Sequence, residues 1–123
     1  MCIFCNIPKD SYLYQTDKTF VILDKFPLSK GHLLLIPKTH FPNFHSTPLE
    51  YLEDLMSVAL YLVKKLNLEK YNLLQNNNHL QSVHHLHFHL IPYDGRGLQI
   101  NWDTLDLKNY EEEIEKIKLK LKT

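Results

Sequence analysis

Apolar residues run unbroken through some stretches of this chain and recur every third or fourth position in others. The run from Phe20 to Asp24 is apolar and β-rich, which predicts a strand. Phe26-Pro-Leu-Ser-Lys-Gly31 reads as a turn. His32-Leu-Leu-Leu-Ile-Pro37 reads as a second strand, apolar on both faces apart from His32 and close enough to the first to pair antiparallel. Thr47-Pro-Leu-Glu50 predicts a helix start, with Thr47 as cap, Pro48 at the first helical position and Glu50 completing a capping box. Leu49, Leu52, Leu55, Met56, Ala59, Leu60, Val63 and Leu66 then follow at helical spacing, and Lys64 and Lys65 fall in the last turn, where the dipole favours cations. Tyr71 to Gln75 predicts a short strand and His85 to Ile91 a longer one. Asn109 to Leu121 predicts a second helix with Tyr110, Ile114, Ile117 and Leu121 on one stripe. Its acids come first and its lysines last, which reads as a solvated face.

These elements predict an α+β fold: an antiparallel sheet with one long helix packed on it and a C-terminal helix at about 109–121. The length of 123 residues suits a single domain over 1–123. The sheet is small for so many apolar strands, so a second subunit is expected to cover the remainder. With 44% hydrophobic and 23% charged residues, the chain should bury a core. Lys plus Arg equals Asp plus Glu at 14 each, which argues against electrostatic binding to nucleic acid or anionic membranes. No apolar run approaches the roughly 18 residues of a membrane span. Polar residues follow Cys2-Ile-Phe-Cys5 almost at once, so no signal peptide is expected. Two cysteines three apart do not suggest a secreted disulfide scaffold. The expected location is the cytoplasm or the nucleus.

The histidines change this picture. There are eight, five of them between His79 and His89. On a strand His85, His87 and His89 share one face, while Leu86, Phe88 and Leu90 share the other and can enter the core. His84 falls outside the row. Three aligned imidazoles could bind a metal, bind phosphate, or supply a nucleophile with a proton donor beside it.

His85-Leu-His-Phe-His-Leu-Ile resembles the His-x-His-x-His signature of the histidine triad nucleotide hydrolases and transferases. Leu28-Ser-Lys-Gly-His-Leu-Leu-Leu-Ile-Pro-Lys-Thr-His40 resembles the family's Gly-His strand with its Ile-Pro-Lys-x-His end. Cys2-Ile-Phe-Cys-Asn-Ile7 is similar to the zinc-bearing N-terminus of many members, and Gln81-Ser-Val83 to the segment leading into the triad. Trp102 and the final helix resemble bacterial-type C-termini. The resemblance implies a five-stranded sheet that joins a second copy in a homodimer.

It also implies chemistry at named positions. His87 would attack the α-phosphorus of a nucleotide as a neutral imidazole whose other nitrogen donates to a backbone carbonyl, giving a nucleotidyl-histidine that water cleaves. His89 would supply or relay a proton, and His32 would orient it. Asp24 would hold ribose hydroxyls, since a carboxylate accepts two hydrogen bonds. Ser82, with backbone groups of Gln81 and Val83, would contact phosphate, and Asn76 matches a nucleotide-binding asparagine. Ile3, Phe4, Ile7, Ile22 and Leu34 match the apolar base pocket. Cys2, Cys5, His40 and His85 match a closed structural zinc site, with His45 as the second choice for the third ligand.

Two positions depart from the family pattern. The loop Asn76-Asn-Asn-His-Leu-Gln81 lacks glycine, with Leu80 where glycine is usual, although asparagine can supply a left-handed residue. Tyr93 stands where arginine often follows Ile-Pro, and Arg96 could substitute. The resemblance favours a nucleoside phosphoramidase-like hydrolase acting on purine nucleotides. The alternatives are a dinucleoside polyphosphate hydrolase, a zinc-stabilised nucleotide-binding protein with little catalysis and, more distantly, a metal-storage protein.

Overall fold

The computed structural model describes residues 2–122. Five strands form one antiparallel sheet: β1 (Tyr14–Gln15), β2 (Thr19–Leu23), β3 (Leu33–Pro37), β4 (Tyr71–Gln75) and β5 (Phe88–Pro92). Their spatial order is β1-β2-β3-β5-β4. Helix α1 (Leu49–Lys65) links β3 to β4, and α2 (Tyr110–Leu121) ends the chain. The architecture is the expected α+β one. The two-residue strand β1 carries too little pattern to be read from sequence.

The central strands are buried on both faces, which is why β2 and β3 read as unbroken apolar runs. Val21, Leu33, Leu35, Leu86, Phe88 and Leu90 pack with Leu55, Val58, Ala59 and Leu62 of α1. On the opposite face Phe20, Ile22, Leu34 and Ile36 pack with Phe4 from the N-terminal segment. Alternation along β5 sends Phe88 and Leu90 to the helix layer and His89 to the N-terminal layer. Register then sets His89 between Leu34 of β3 and Leu74 of β4.

Three local expectations are corrected. Thr47 does not cap α1: its hydroxyl donates to the Asn43 carbonyl at 2.7 Å, and extended Pro48 becomes the N-cap. The capping box lies one turn earlier, between Asn43 and Ser46. Strand β5 begins at Phe88, not His85. The Leu86 amide is drawn to the Phe41 carbonyl at 2.6 Å and the His85 carbonyl to the His87 side chain, so neither can join a ladder. The apolar stripe of α1 is broader than the face the sheet covers, leaving Leu49 and Leu60 exposed and Met56 partly so. Helix α2 forms, yet none of its apolar stripe is buried.

Candidate active site and metal centre

Two clusters of metal-binding or titratable side chains meet at the start of β5. Cys2, Cys5, His40 and His85 hold their donor atoms within 4.8 Å of one another. Nδ1 of His85 lies 3.3 Å from Cys2 Sγ, 3.5 Å from Cys5 Sγ and 3.1 Å from His40 Nδ1. Cys5 Sγ and His40 Nδ1 are 3.4 Å apart. A tetrahedron with metal–N near 2.05 Å and metal–S near 2.3 Å has edges of roughly 3.3–3.8 Å, so the three sulfur–nitrogen distances fit a zinc site and the His40–His85 edge is slightly short of it. The tautomer fits as well. His85 Nε2–H donates to the Pro37 carbonyl at 2.9 Å, which leaves its Nδ1 lone pair facing the other ligands. His45 is exposed and outside this group.

The second cluster holds Asp24, His32 and His89. His32 ends the β2–β3 turn, where Gly31 takes φ +81°. The Leu28 backbone N–H donates to His32 Nδ1 at 3.0 Å. A neutral His32 therefore carries its proton on Nε2, which lies 2.9 Å from His89 Nδ1 and 3.4 Å from Asp24 Oδ2. His89 Nδ1 accepts, so its own proton sits on Nε2. This is a hydrogen-bond relay, and it withholds the His32 lone pair that a metal would need. The other Asp24 oxygen accepts from the Phe26 amide at 2.8 Å.

His87 lies between the clusters. Its Nδ1–H donates to the His85 carbonyl at 2.8 Å, so Nε2 keeps a lone pair. Burial lowers the His87 pKa, and hydrogen bonding to the His85 carbonyl only partly offsets this, which keeps the ring neutral at pH 7. His89 is pushed down to about 4, by burial first and then by the neighbouring His87 and His32 rings. Burial lowers His32 too, against the opposing pull of Asp24. The His87 and His89 ring centroids are 4.9 Å apart.

Phe4 packs edge-on against the His87 ring at 5.0 Å, so the turn between Cys2 and Cys5 covers the base of the triad. Ile22 and Leu34 are buried in the same cluster, with Ile7 and Val83 packed against it. Ile3, at the rim, is 61% exposed and not part of the buried cluster. The glycine-free loop forms through two left-handed residues, Asn78 and Leu80, each at φ +60°. Asn76 donates to the Leu80 carbonyl at 3.3 Å. Gln81 uses its side chain structurally, accepting from the Asn78 amide and donating to the Pro42 carbonyl at 2.7 Å. Ser82 is exposed beside them. The structure thus brings His32, His87, His89 and Asp24 together, with Phe4, Ile22 and Val83 nearby and Asn76, Gln81 and Ser82 on the adjoining loop.

Sequence reading expects a backbone carbonyl at His87 but not that it is the carbonyl of His85, and it misses the Leu28 amide and the Pro37 and Phe41 carbonyls. Any residue type supplies these groups, so no side chain marks them. Ser29 was missed too; its hydroxyl donates to the Pro92 carbonyl at 2.6 Å and ties the β2–β3 turn to the end of β5. A cleft of about 520 Å³ opens beside that turn, lined by Leu28 and residues 95–99, Arg96 among them.

Residues 7–96 match the HIT domain. The adenosine 5'-monophosphoramidase HNT1 of Saccharomyces cerevisiae is 42% identical over 109 residues, covering 82% of this chain and 69% of that protein. The enzyme of the same name from Schizosaccharomyces pombe is 36% identical and covers 89% of each. The crystal structure of a histidine triad nucleotide-binding protein from Candida albicans superimposes with a TM-score of 0.83 at 37% identity, over 98% of this chain and 97% of that one. Sequence and fold agree nearly end to end, and this chain belongs to the histidine triad, or HIT, domain family.

Proposed function

We propose that this protein is a nucleotide hydrolase that cleaves a P–N bond at the α-phosphate of a purine nucleoside phosphoramidate. The observation that carries this is the His87 tautomer, fixed by the His85 carbonyl with Nε2 free. The yeast relatives are adenosine 5'-monophosphoramidases, which supports the substrate class.

His89 is neutral at first and donates a hydrogen bond; the bound phosphate raises its proton affinity, so that it takes up a second proton from solvent and can act as an acid. His87 Nε2 forms a bond to α-phosphorus as the P–N bond breaks, and the amine leaves with the proton given up at His89 Nε2, which returns His89 to the neutral form. Water then attacks phosphorus and passes a proton to His89, the P–His87 bond breaks, and the nucleoside monophosphate is released. Asp24 binds the ribose hydroxyls. Ser82, the backbone of Gln81 and Val83, and Asn76 hold phosphate. Ile3, Phe4 and Ile22 enclose the base.

Cys2, Cys5, His40 and His85 would hold a structural Zn2+. The ion would fasten the N-terminal turn to the sheet with no open coordination position. Two thiols held for a metal suit a reducing cytoplasmic or nuclear compartment, and no described helix is long and apolar enough to cross a membrane. A homodimer would cover the exposed apolar part of α1 and the edge strand β4.

The test is hydrolysis of adenosine 5'-phosphoramidate by wild type and His87→Ala, with a dinucleoside triphosphate in parallel. Turnover of the phosphoramidate by wild type, lost in the variant, is the expected result. Faster cleavage of the dinucleotide would favour a polyphosphate hydrolase, a reading that Arg96 in the cleft beside Leu28 supports. No turnover of either by folded protein would overturn the enzymatic reading.

A further inference from the structure

Helix α2 spans 12 residues and buries none of them. Four of its five apolar residues, Tyr110, Ile114, Ile117 and Leu121, follow one another at intervals of four, three and four, the spacing of a coiled-coil seam, and Leu119 lies off that seam. Tyr110, Ile117 and Leu121 are 63%, 52% and 78% exposed, and Ile114 is half-buried. A seam of this kind is completed by a second helix, and the charges beside it say which one.

We propose that α2 pairs antiparallel with α2 of a second copy of this chain. The seam positions are symmetric about a point between Glu115 and Lys116, with acids before it and lysines after it. Antiparallel alignment about that point sets Ile114 against Ile117 of the other copy, and Tyr110 against Leu121. The flanking positions are complementary in the same register: Glu111 meets Lys118 of the other copy and Glu113 meets Lys120, each contact occurring twice across the two-fold axis. A parallel pair would lay the acidic halves side by side and align the two helix dipoles, both unfavourable. Within one helix Glu113 contacts Lys116 at 3.7 Å and Glu115 contacts Lys118 at 3.6 Å. These are exposed contacts that an opposing helix can share. At roughly 18 Å the seam is short, so it adds to other subunit contacts.

The experiment uses full-length protein, unlabelled and ¹⁵N-labelled, mixed and treated with a zero-length carbodiimide that joins touching carboxylates and amines. The expected products are Glu111–Lys118 and Glu113–Lys120 amides that link one light and one heavy peptide, and Ile117→Asp removes both. These residue pairs lie seven apart on one helix and cannot meet within a chain. Links from α2 only to lysines outside α2 would overturn the proposal. So would a dimer by sedimentation without those links, or a monomer at high micromolar concentration.

Discussion

Nε2 of His32 lies 2.9 Å from Nδ1 of His89, and the direction of that hydrogen bond is decided by the Leu28 amide on the far side of the ring. The amide occupies one His32 nitrogen, so the other must donate, and His89 must present its own proton from Nε2. A backbone amide in the β2–β3 turn thereby fixes the protonation of a residue in the site. His32→Ala frees the His89 ring to rotate and to change tautomer. The expected cost is about 10²-fold in kcat, as for a misplaced catalytic group, with KM changed much less. A loss confined to KM would mean that His32 only shapes the pocket.

His87→Ala removes the nucleophile itself. A loss of roughly 10³-fold or more in kcat/KM is expected, with the far-ultraviolet circular dichroism preserved. Residual activity near wild type would point to direct attack by water.

Both His32 and His89 have folded pKa values below the ordinary 6.5, His89 at about 4. Well above pH 6.5 neither the folded nor the unfolded chain protonates them, and their effect on stability is constant. Between 6.5 and about 4 the unfolded chain binds protons that the folded one refuses, so stability falls as pH falls. Urea midpoints measured from pH 7.5 to 5 should decline. The decline should be shallower in His89→Asn, and equal slopes in the two proteins would refute the assignment.

Chelation should remove about one equivalent of zinc and lower the melting temperature. Hydrogen exchange should accelerate first at residues 2–7, the segment the ligands fasten. Cys5→Ser should bind zinc more weakly and show the same exchange pattern. Because Phe4 sits between the cysteines and against His87, KM for the nucleotide should rise in the metal-free protein. Unchanged exchange after metal loss would show that packing alone holds the segment.

Leu80 is 78% exposed at φ +60°, a conformation that costs a side chain about 1–2 kcal/mol and glycine nothing. Leu80→Gly should therefore exceed Leu80→Ala in stability by about 1 kcal/mol, after allowing for the greater freedom of glycine in the unfolded chain. Equal urea midpoints would mean that the loop relaxes out of the left-handed region.

Period and spacing by themselves determined the strands at 20–24, 32–37 and 71–75 to within a residue or so, the existence of both helices, and the face that His87 and His89 share. These are local properties: alternation assigns a strand's faces and a 3.6-residue repeat assigns a helix's stripe whatever lies nearby. The HIT motifs carried the grouping of Cys2 and Cys5 with His40 and His85, across 83 residues of chain. Tertiary structure alone decided the rest. It drew Thr47 to Asn43 and away from the α1 cap, and it started β5 at Phe88 because the His85 carbonyl and the Leu86 amide found partners elsewhere. It also set each imidazole's tautomer, through the Leu28 amide for His32, the Pro37 carbonyl for His85 and the His85 carbonyl for His87. A histidine's position can be read from its neighbours in sequence. Which nitrogen holds the proton depends on a backbone carbonyl or amide brought near by folding, and no side chain marks those groups in the sequence.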